Sequence, residues 1–234
     1  MRNELLMIPE KSDIERNSLA KAWEAKGGKV IRISKFWVKP ETNNKRITLY
    51  GFDTFCLVLA QVLELELELI DDTLITKLPI EFLKRKLDVF EIENIQQISF
   101  PKFIKPVTPK LFDAKVFENQ IELEQAIVGL ERKEKIICSS IVKVDKEVRA
   151  FILNRKIQDL AYYEGIGDLE EPRIFIERLL HIPEIELPET FVMDVGYSKE
   201  NNWFVIEFNS SWGSGLNSCK PERVIDCIRI ATKN

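Results

Sequence analysis

Two hydrophobic periods divide this chain of 234 residues, and the place where one yields to the other limits the folds open to it. From Asn3 to Ile33 an apolar run (Leu5 to Ile8) leads to Ile14, Leu19, Ala22 and Trp23 at helical spacing, then to Gly27-Gly28, then to Val30 to Ile33. That order predicts β-α-β, with glycine stopping the helix. A second run, Phe52 to Leu63, is apolar at helical spacing before Leu63 to Leu69 alternates strictly with glutamate, which predicts a switch to strand near Glu64. Pro79 opens a short predicted helix, Pro79 to Lys86, that turns Leu83 and Leu87 inward.

Farther on the pattern becomes strand-rich. A short strand, Lys102 to Lys105, is stopped by Pro106, and Lys115 to Phe117 is followed by a helix carrying Leu123, Ala126, Ile127 and Leu130. Strands are predicted over Ile136 to Val144, Glu147 to Leu153, Lys156 to Tyr163, Thr190 to Tyr197 and Trp203 to Asn209, punctuated as in an antiparallel sheet. A helix over Pro221 to Thr232 packs Val224, Ile225, Ile228 and Ile230.

Composition excludes several chemistries. His181 is the one histidine, so Cys/His zinc sites and histidine triads lack a partner. Cys56, Cys138, Cys219 and Cys227 form no C-x-x-C pair and carry no mark of a low-pKa thiolate. A net charge of −4 gives no basis for general nucleic-acid binding. No stretch approaches the ~20 apolar residues of a membrane span, and the opening MRNELLMIPEK is not a signal peptide, so a cytoplasmic protein is expected. Chemistry must rest on Lys, Arg, Asp, Glu and Asn.

Those residues break the apolar pattern at a few places. In Asn202-Trp-Phe-Val-Ile-Glu-Phe-Asn209, Glu207 and Asn209 share a strand face ~6.6–7 Å apart. The preceding strand sets Asp194 between Met193 and Val195. If the two strands pair through the turn at Ser198 to Asn202, two carboxylates and an amide oxygen converge, a donor set suited to magnesium. A polar surface strip or a buried hydrogen-bonded pair fits the same residues. Lys105 sits inside Phe103-Ile-Lys-Pro106, and Glu147 and Arg149 share the face of another strand. Lysine offers phosphate a compact charge and arginine a planar fork, while a solvated edge or an intrastrand ion pair would also explain them. Neither G-x-x-x-x-G-K-[ST] nor G-x-G-x-x-G is present, and H-R-D and D-F-G are missing, which argues against a protein kinase.

The order Lys105, Arg149, Asp194, then Glu207-x-Asn209 resembles the ATP-grasp superfamily, and more narrowly its bacterial and phage-associated R2K clade. Leu49-Tyr-Gly-Phe52, Leu78 to Lys86, Phe103 to Pro106, Glu147 to Phe151, Met193 to Gly196 and Val205 to Asn209 carry the resemblance. It implies an α/β and α+β chain: an N-terminal α/β domain (1–86), a small subdomain (87–135) and a large one (136–234) that clasp ATP. It also implies Lys105 on the α- and β-phosphates, with Lys115, or else Lys110, as the second lysine. Cys138, Ser139, Ser140 and Ile141 would form the adenine hinge. Glu147 or Asp145 would be the candidate for the ribose, Asp194, Glu207 and Asn209 would hold Mg2+, and Arg149 would face the transferred phosphoryl group. The implied reaction activates a carboxylate as an acyl phosphate for attack by an amine, on a peptide or protein. A nucleotide-binding protein-interaction module without turnover is the alternative. His181, among Leu179, Leu180 and Ile182, reads as structural. Trp212, Gly213 and Gly215 would shape the loop after Asn209.

Overall fold

The computed structural model describes residues 3–42 and 45–233. In chain order the elements are β1 (Glu4–Pro9), α1 (Ile14–Ala25), β2 (Lys29–Ile33), β3 (Arg46–Leu49), α2 (Asp53–Leu63), β4 (Glu66–Leu67), a 3-10 turn (Leu74–Lys77), α3 (Ile80–Leu83) and β5 (Leu87–Glu91). A second 3-10 segment (Ile92–Gln97), β6 (Lys102–Pro106), β7 (Lys115–Phe117), α4 (Gln120–Ala126) and β8 (Lys135–Ser139) come next. The chain closes with β9 (Lys146–Leu153), β10 (Lys156–Glu164), α5 (Glu170–Leu180), β11 (Thr190–Ser198), β12 (Asn202–Asn209), α6 (Pro221–Ile230) and β13 (Thr232–Lys233).

Two compact units result. The first holds residues up to Ile70, Lys146–Gly196 and the chain from Ile206 onward. Its parallel sheet runs β2-β1-β3, and the uninterrupted apolar run of β1 follows from burial on both faces. Leu6 and Ile8 join a core with Trp23 of α1, Phe151, Val192, Val224 and Ile225, whereas Leu5 and Met7 pack with Leu49, Phe55, Leu59 and Trp212. A second sheet runs β10-β9-β11-β12, with β9 and β10 antiparallel. Asp13 caps α1 by accepting from the Arg16 amide, and Asp159 on β10 accepts from Lys220 N at 2.6 Å and Arg223 Nη1 at 3.1 Å at the start of α6.

Gly28 follows α1 because Trp23 leaves no room for a side chain. A Cβ there would collide with the Trp23 indole, meeting Cε2 at 2.9 Å and Nε1 and Cδ1 more closely still. Trp23 is fully buried and cannot swing away. Gly28→Ala is therefore expected to lower the unfolding free energy by about 1–3 kcal/mol, the usual range for overpacking, measured by urea denaturation. An unchanged midpoint would show that the indole relocates.

The second unit holds Asp71–Asp145 and Tyr197–Val205. Its sheet runs β5-β8-β6-β7, antiparallel at each pairing, over a core of Ile92, Ile95, Ile104, Phe117, Leu123, Ile136 and Cys138. Asn119 caps α4 by accepting from the Glu122 amide at 3.0 Å.

Several expected elements are shorter. The helix-to-strand switch does fall at Glu64, which caps α2 with φ 58°, but the alternating stretch gives only the two residues of β4, paired with β13. Alternation fixes the face, while strand length depends on a partner, and β13 supplies two residues. The strand expected to reach Val144 ends at Ser139, the helix expected to Thr232 ends at Ile230, and the helix expected over Pro79 to Lys86 is confined to Ile80–Leu83. Lys84, with φ 51°, closes that last one.

Candidate functional site

In the first unit, one site is built on neighbouring strands. Asp194 stands on β11, with wholly buried residues on either side of it in the strand, and Arg149 stands on β9 beside it. The guanidinium grips the carboxylate with two bonds, Nε to Oδ1 at 2.8 Å and Nη2 to Oδ2 at 2.6 Å. Its third edge donates from Nη1 to the Gly215 carbonyl at 2.9 Å. From β12, Asn209 Nδ2 reaches Asp194 Oδ2 at 3.2 Å and Glu207 Oε1 at 2.9 Å. Asp194, Glu207 and Asn209 thus come together as period two implied, but Asn209 presents its amide nitrogen to the carboxylates and not the oxygen expected. Burial pushes the Asp194 carboxyl above the usual carboxylate range, and the neighbouring charge of Glu207 adds to this while Arg149 and Asn209 pull against it. Arg149 stays charged: burial works against its charge, but the bonds to Asp194 prevail.

Glu147 lies two residues before Arg149, half-buried and hydrogen-bonded to Tyr163 of β10. Burial raises its carboxyl, with Asp194, Glu164 and Glu207 contributing repulsion. The Tyr163 ring also lies under the Arg149 guanidinium, 5.6 Å from centroid to Cζ. Tyr163 was not legible as a site residue from the sequence, since only the pairing of β9 with β10 brings it there. The mutually repelling carboxylates of Glu147, Asp194 and Glu207 outnumber the one guanidinium, so the cluster is acidic, an environment that a divalent cation would relieve. The two carboxylates are oxygen donors of the kind magnesium takes, and Asn209, which here turns Nδ2 toward both, would add its oxygen only with the amide turned over, so the residue types fit that ion. Among the described residues no group of three His, Cys, Asp or Glu side chains forms a metal cage.

The loop after Asn209 is held from several sides. Gly51 N donates to Trp212 O at 3.1 Å, the Tyr50 hydroxyl to Ser214 O at 2.9 Å, and Trp212 Nε1 to Glu68 O at 2.8 Å. Glu15, in the first turn of α1, accepts from Leu216 N at 2.9 Å and Asn217 N at 2.7 Å. These ties join residues 144 to 202 positions apart, and no local signal announces them.

The second unit carries the expected phosphate and hinge residues. In the antiparallel ladder Lys105 pairs with Ile137, and Phe103 with Ser139, so Lys105 and Ser139 share one sheet face. Lys115 pairs with Ile104 and therefore lies on the opposite face, its Nζ 5.0 Å from the centroid of the Phe117 ring. Lys110 has φ 68° in the turn between β6 and β7. Cys138 turns its thiol into the core, where burial pushes it up to about 12. Ser139 Oγ donates to Ser140 O at 2.8 Å and accepts from Arg85 Nε at 3.1 Å, while Ser140 N is engaged by Lys86 O at 3.1 Å. Ile141 follows, exposed. Arg85 also donates to Leu83 O at 3.1 Å and Val205 O at 2.7 Å and lies over Phe204. Burial lowers its pKa to about 10. Asp145 binds Lys143 Nζ at 2.7 Å and accepts from Lys199 N.

All four thiols are buried and raised, and His181 closes α5 with Nδ1 2.6 Å from Glu177 O. No helix among the described residues is long and apolar enough to cross a membrane.

Comparison with known proteins places this geometry. None of the curated proteins matches the chain. Among solved structures, the RimK-domain ATP-grasp protein of Sphaerobacter thermophilus superposes with a TM-score of 0.58 at 13% identity, covering 96% of this chain and 99% of that one. N5-carboxyaminoimidazole synthetase of Staphylococcus aureus complexed with ADP gives 0.58 at 11% identity, with 97% and 77% covered. The ATP-grasp ligase PsnB, complexed with precursor peptide PsnA2 and AMPPNP, gives 0.50 at 11% identity, with 99% and 97% covered. At such identities the likeness establishes the mixed α/β ATP-grasp fold over nearly the whole chain. The family described as ATP-grasp domain, R2K clade family 2, matches residues 82–227, more than half of the sequence and the whole span from Lys105 to Asn209, and the chain belongs to that family.

Proposed function

We propose that this protein is an ATP- and magnesium-dependent ligase that joins a carboxylate to an amine through an acyl phosphate, with a peptide or protein as the acceptor. The observation that carries the reading is the clustering of Arg149, Asp194, Glu207 and Asn209 on β9, β11 and β12, within the span matched by the family. The solved complexes of similar fold with ADP, and with AMPPNP and a precursor peptide, support the choice of nucleotide and acceptor.

Magnesium held by Asp194, Glu207 and Asn209 would neutralise phosphate charge. The protein's own part is positioning and electrostatics. Lys105 supplies a point charge to the α- and β-phosphates. Three of the five Arg149 N–H donors are engaged, two on Asp194 and one on Gly215, which leaves two to meet the transferred phosphoryl group. That group passes to a carboxylate oxygen of the acceptor as ADP leaves. The amine nitrogen then attacks the acyl carbon, loses a proton, and phosphate departs with the bonding pair. Glu147 is the candidate for the ribose hydroxyls, and Ser139 to Ile141 for the adenine edge.

A second reading, a nucleotide-binding interaction module without turnover, draws on one feature. Arg149 and Asp194 neutralise each other here, which reduces the charge that either brings to phosphate or metal. Both readings require nucleotide. Calorimetry with a non-hydrolysable ATP analogue, in magnesium and in chelator, should show magnesium-dependent binding that Lys105→Met weakens at least about tenfold, as expected for loss of a phosphate-contacting charge. A folded wild type that binds no analogue would overturn both. Release of ADP on adding a carboxylate and an amine separates the ligase from the module.

A further inference from the structure

The three parallel strands end side by side, and in open α/β sheets ligands favour the crevice beyond the carboxyl ends of the strands. Here that end carries an aromatic surface. Phe36 meets Trp37 at 5.2 Å, Phe52 at 5.9 Å and Phe55 at 5.6 Å between ring centroids, each pair edge to face, and Phe52 meets Phe55 at 5.8 Å. Phe55 is wholly buried, so the cluster is rooted in the core, yet Trp37 is 60% and Phe52 48% exposed. Rings so fixed present apolar area with little conformational entropy left to lose on binding.

The surface adjoins the candidate catalytic loop. Gly51, before Phe52, donates to Trp212 O at 3.1 Å, and Asp53, after it, lies where a Cβ on Gly213 would meet Oδ1 at 3.2 Å. The same loop receives Arg149 at Gly215 O and follows directly on Asn209. Lys35 and Lys39, both exposed, flank Trp37. They bring two positive charges to the segment that carries Trp37, against the one carboxylate of Asp53 next to Phe52, whereas the Glu147, Asp194 and Glu207 cluster is acidic, so an anionic acceptor finds ammonium partners on this segment.

We propose that Trp37 and Phe52, with Lys35 and Lys39, form the acceptor subsite. Its ligand is a peptide carboxylate whose adjoining side chain is aromatic or a large aliphatic. This rests on the ligase reading, and the test keeps the two apart. N-acetyl-Ala-Phe and N-acetyl-Ala-Ala are titrated calorimetrically into protein holding magnesium and a non-hydrolysable ATP analogue. Both peptides are then assayed with ATP and hydroxylamine, which captures an acyl phosphate as a hydroxamate. The phenylalanine peptide is expected to bind about tenfold more tightly than the alanine peptide, and to show a correspondingly lower KM, as one large apolar group commonly discriminates. Trp37→Ser should reduce that ratio to below about twofold, and Trp37→Phe should retain most of it.

Aromatic preference that Trp37→Ser removes, without hydroxamate from any peptide, keeps the subsite and overturns the ligase. Hydroxamate without side-chain preference keeps the ligase and overturns the subsite. If neither peptide binds or reacts, the subsite fails. A wild-type dimer that Trp37→Ser converts to monomer, with peptide binding indifferent to the ring, would make the surface a contact between two copies and overturn the proposal.

Discussion

Arg149→Met should cost the fold about 3–5 kcal/mol and abolish ligation, while the double variant Arg149→Met/Asp194→Leu should recover most of the stability and none of the activity. The asymmetry follows from burial. The Arg149 and Asp194 side chains are 10% and 1% exposed, and their bidentate bond is the chief compensation for two desolvated charges. Removing one leaves the other uncompensated, whereas replacing both with apolar groups of similar volume is often neutral or stabilising. In Arg149→Met the orphaned Asp194 has only the Asn209 amide left among its hydrogen-bond partners, so its folded-state pKa rises further above its unfolded value. Such a group costs stability above the folded pKa, and the cost fades as pH falls toward the unfolded value. The deficit of Arg149→Met should therefore narrow from pH 7 toward pH 4, whereas the double variant, which has no Asp194 to titrate, should show no such narrowing. Turnover has no such rescue: loss of an arginine that stabilises a transferring phosphoryl group costs about 10³-fold or more. Urea titrations of the wild type, both single variants and the double variant across pH, beside ADP release, measure both arms. A double variant no more stable than either single one would show that the pair does not act as a unit.

What the sequence could reveal follows from the range of each interaction. Period two put Glu207 and Asn209 on one face, and the neighbouring hairpin strand supplied Asp194, so that triad was legible. The β-α-β opening was legible because a continuous apolar run such as Leu5 to Ile8 has few uses except a strand buried on both faces. The grip of Arg149 on Asp194 spans 45 residues and depends on β9 lying next to β11 across the crossover through α5, which no local pattern specifies. Lys115 shows the same limit in the other direction. The family resemblance implied a task shared with Lys105, and the register of β7 against β6 puts the two on opposite faces. Leu87–Glu91 was not foreseen as a strand: it alternates poorly, and its conformation comes from pairing with β8.

Glu207→Gln should separate metal binding from stability where changes at Asp194 cannot. Glu207 is only half-buried, and the one oxygen seen in a hydrogen bond accepts from Asn209 Nδ2, a bond the carbonyl of glutamine can keep. Its charge adds repulsion at the buried Asp194 carboxyl and at Glu147. Without a cation nearby, neutralising Glu207 removes that repulsion, so the variant should unfold at the same urea concentration as the wild type or slightly higher. With magnesium and nucleotide the sign reverses. A charged oxygen ligand is replaced by a neutral one in a set that offers only two carboxylates and an amide, and even partners outside the ligand shell cost about 10–100-fold in affinity when lost. The magnesium-dependent part of ATP-analogue binding should therefore fall by about 100-fold, and the part that survives chelator should be untouched, because Lys105 acts on phosphate without the metal. Asp194→Asn, by contrast, leaves the Arg149 charge buried without its counterion, so both stability and affinity should fall. Calorimetry over a magnesium series, paired with urea titration of the same preparations, distinguishes these patterns. If Glu207→Gln binds the magnesium–nucleotide as tightly as the wild type, Glu207 is an electrostatic neighbour of Asp194 and not a metal ligand.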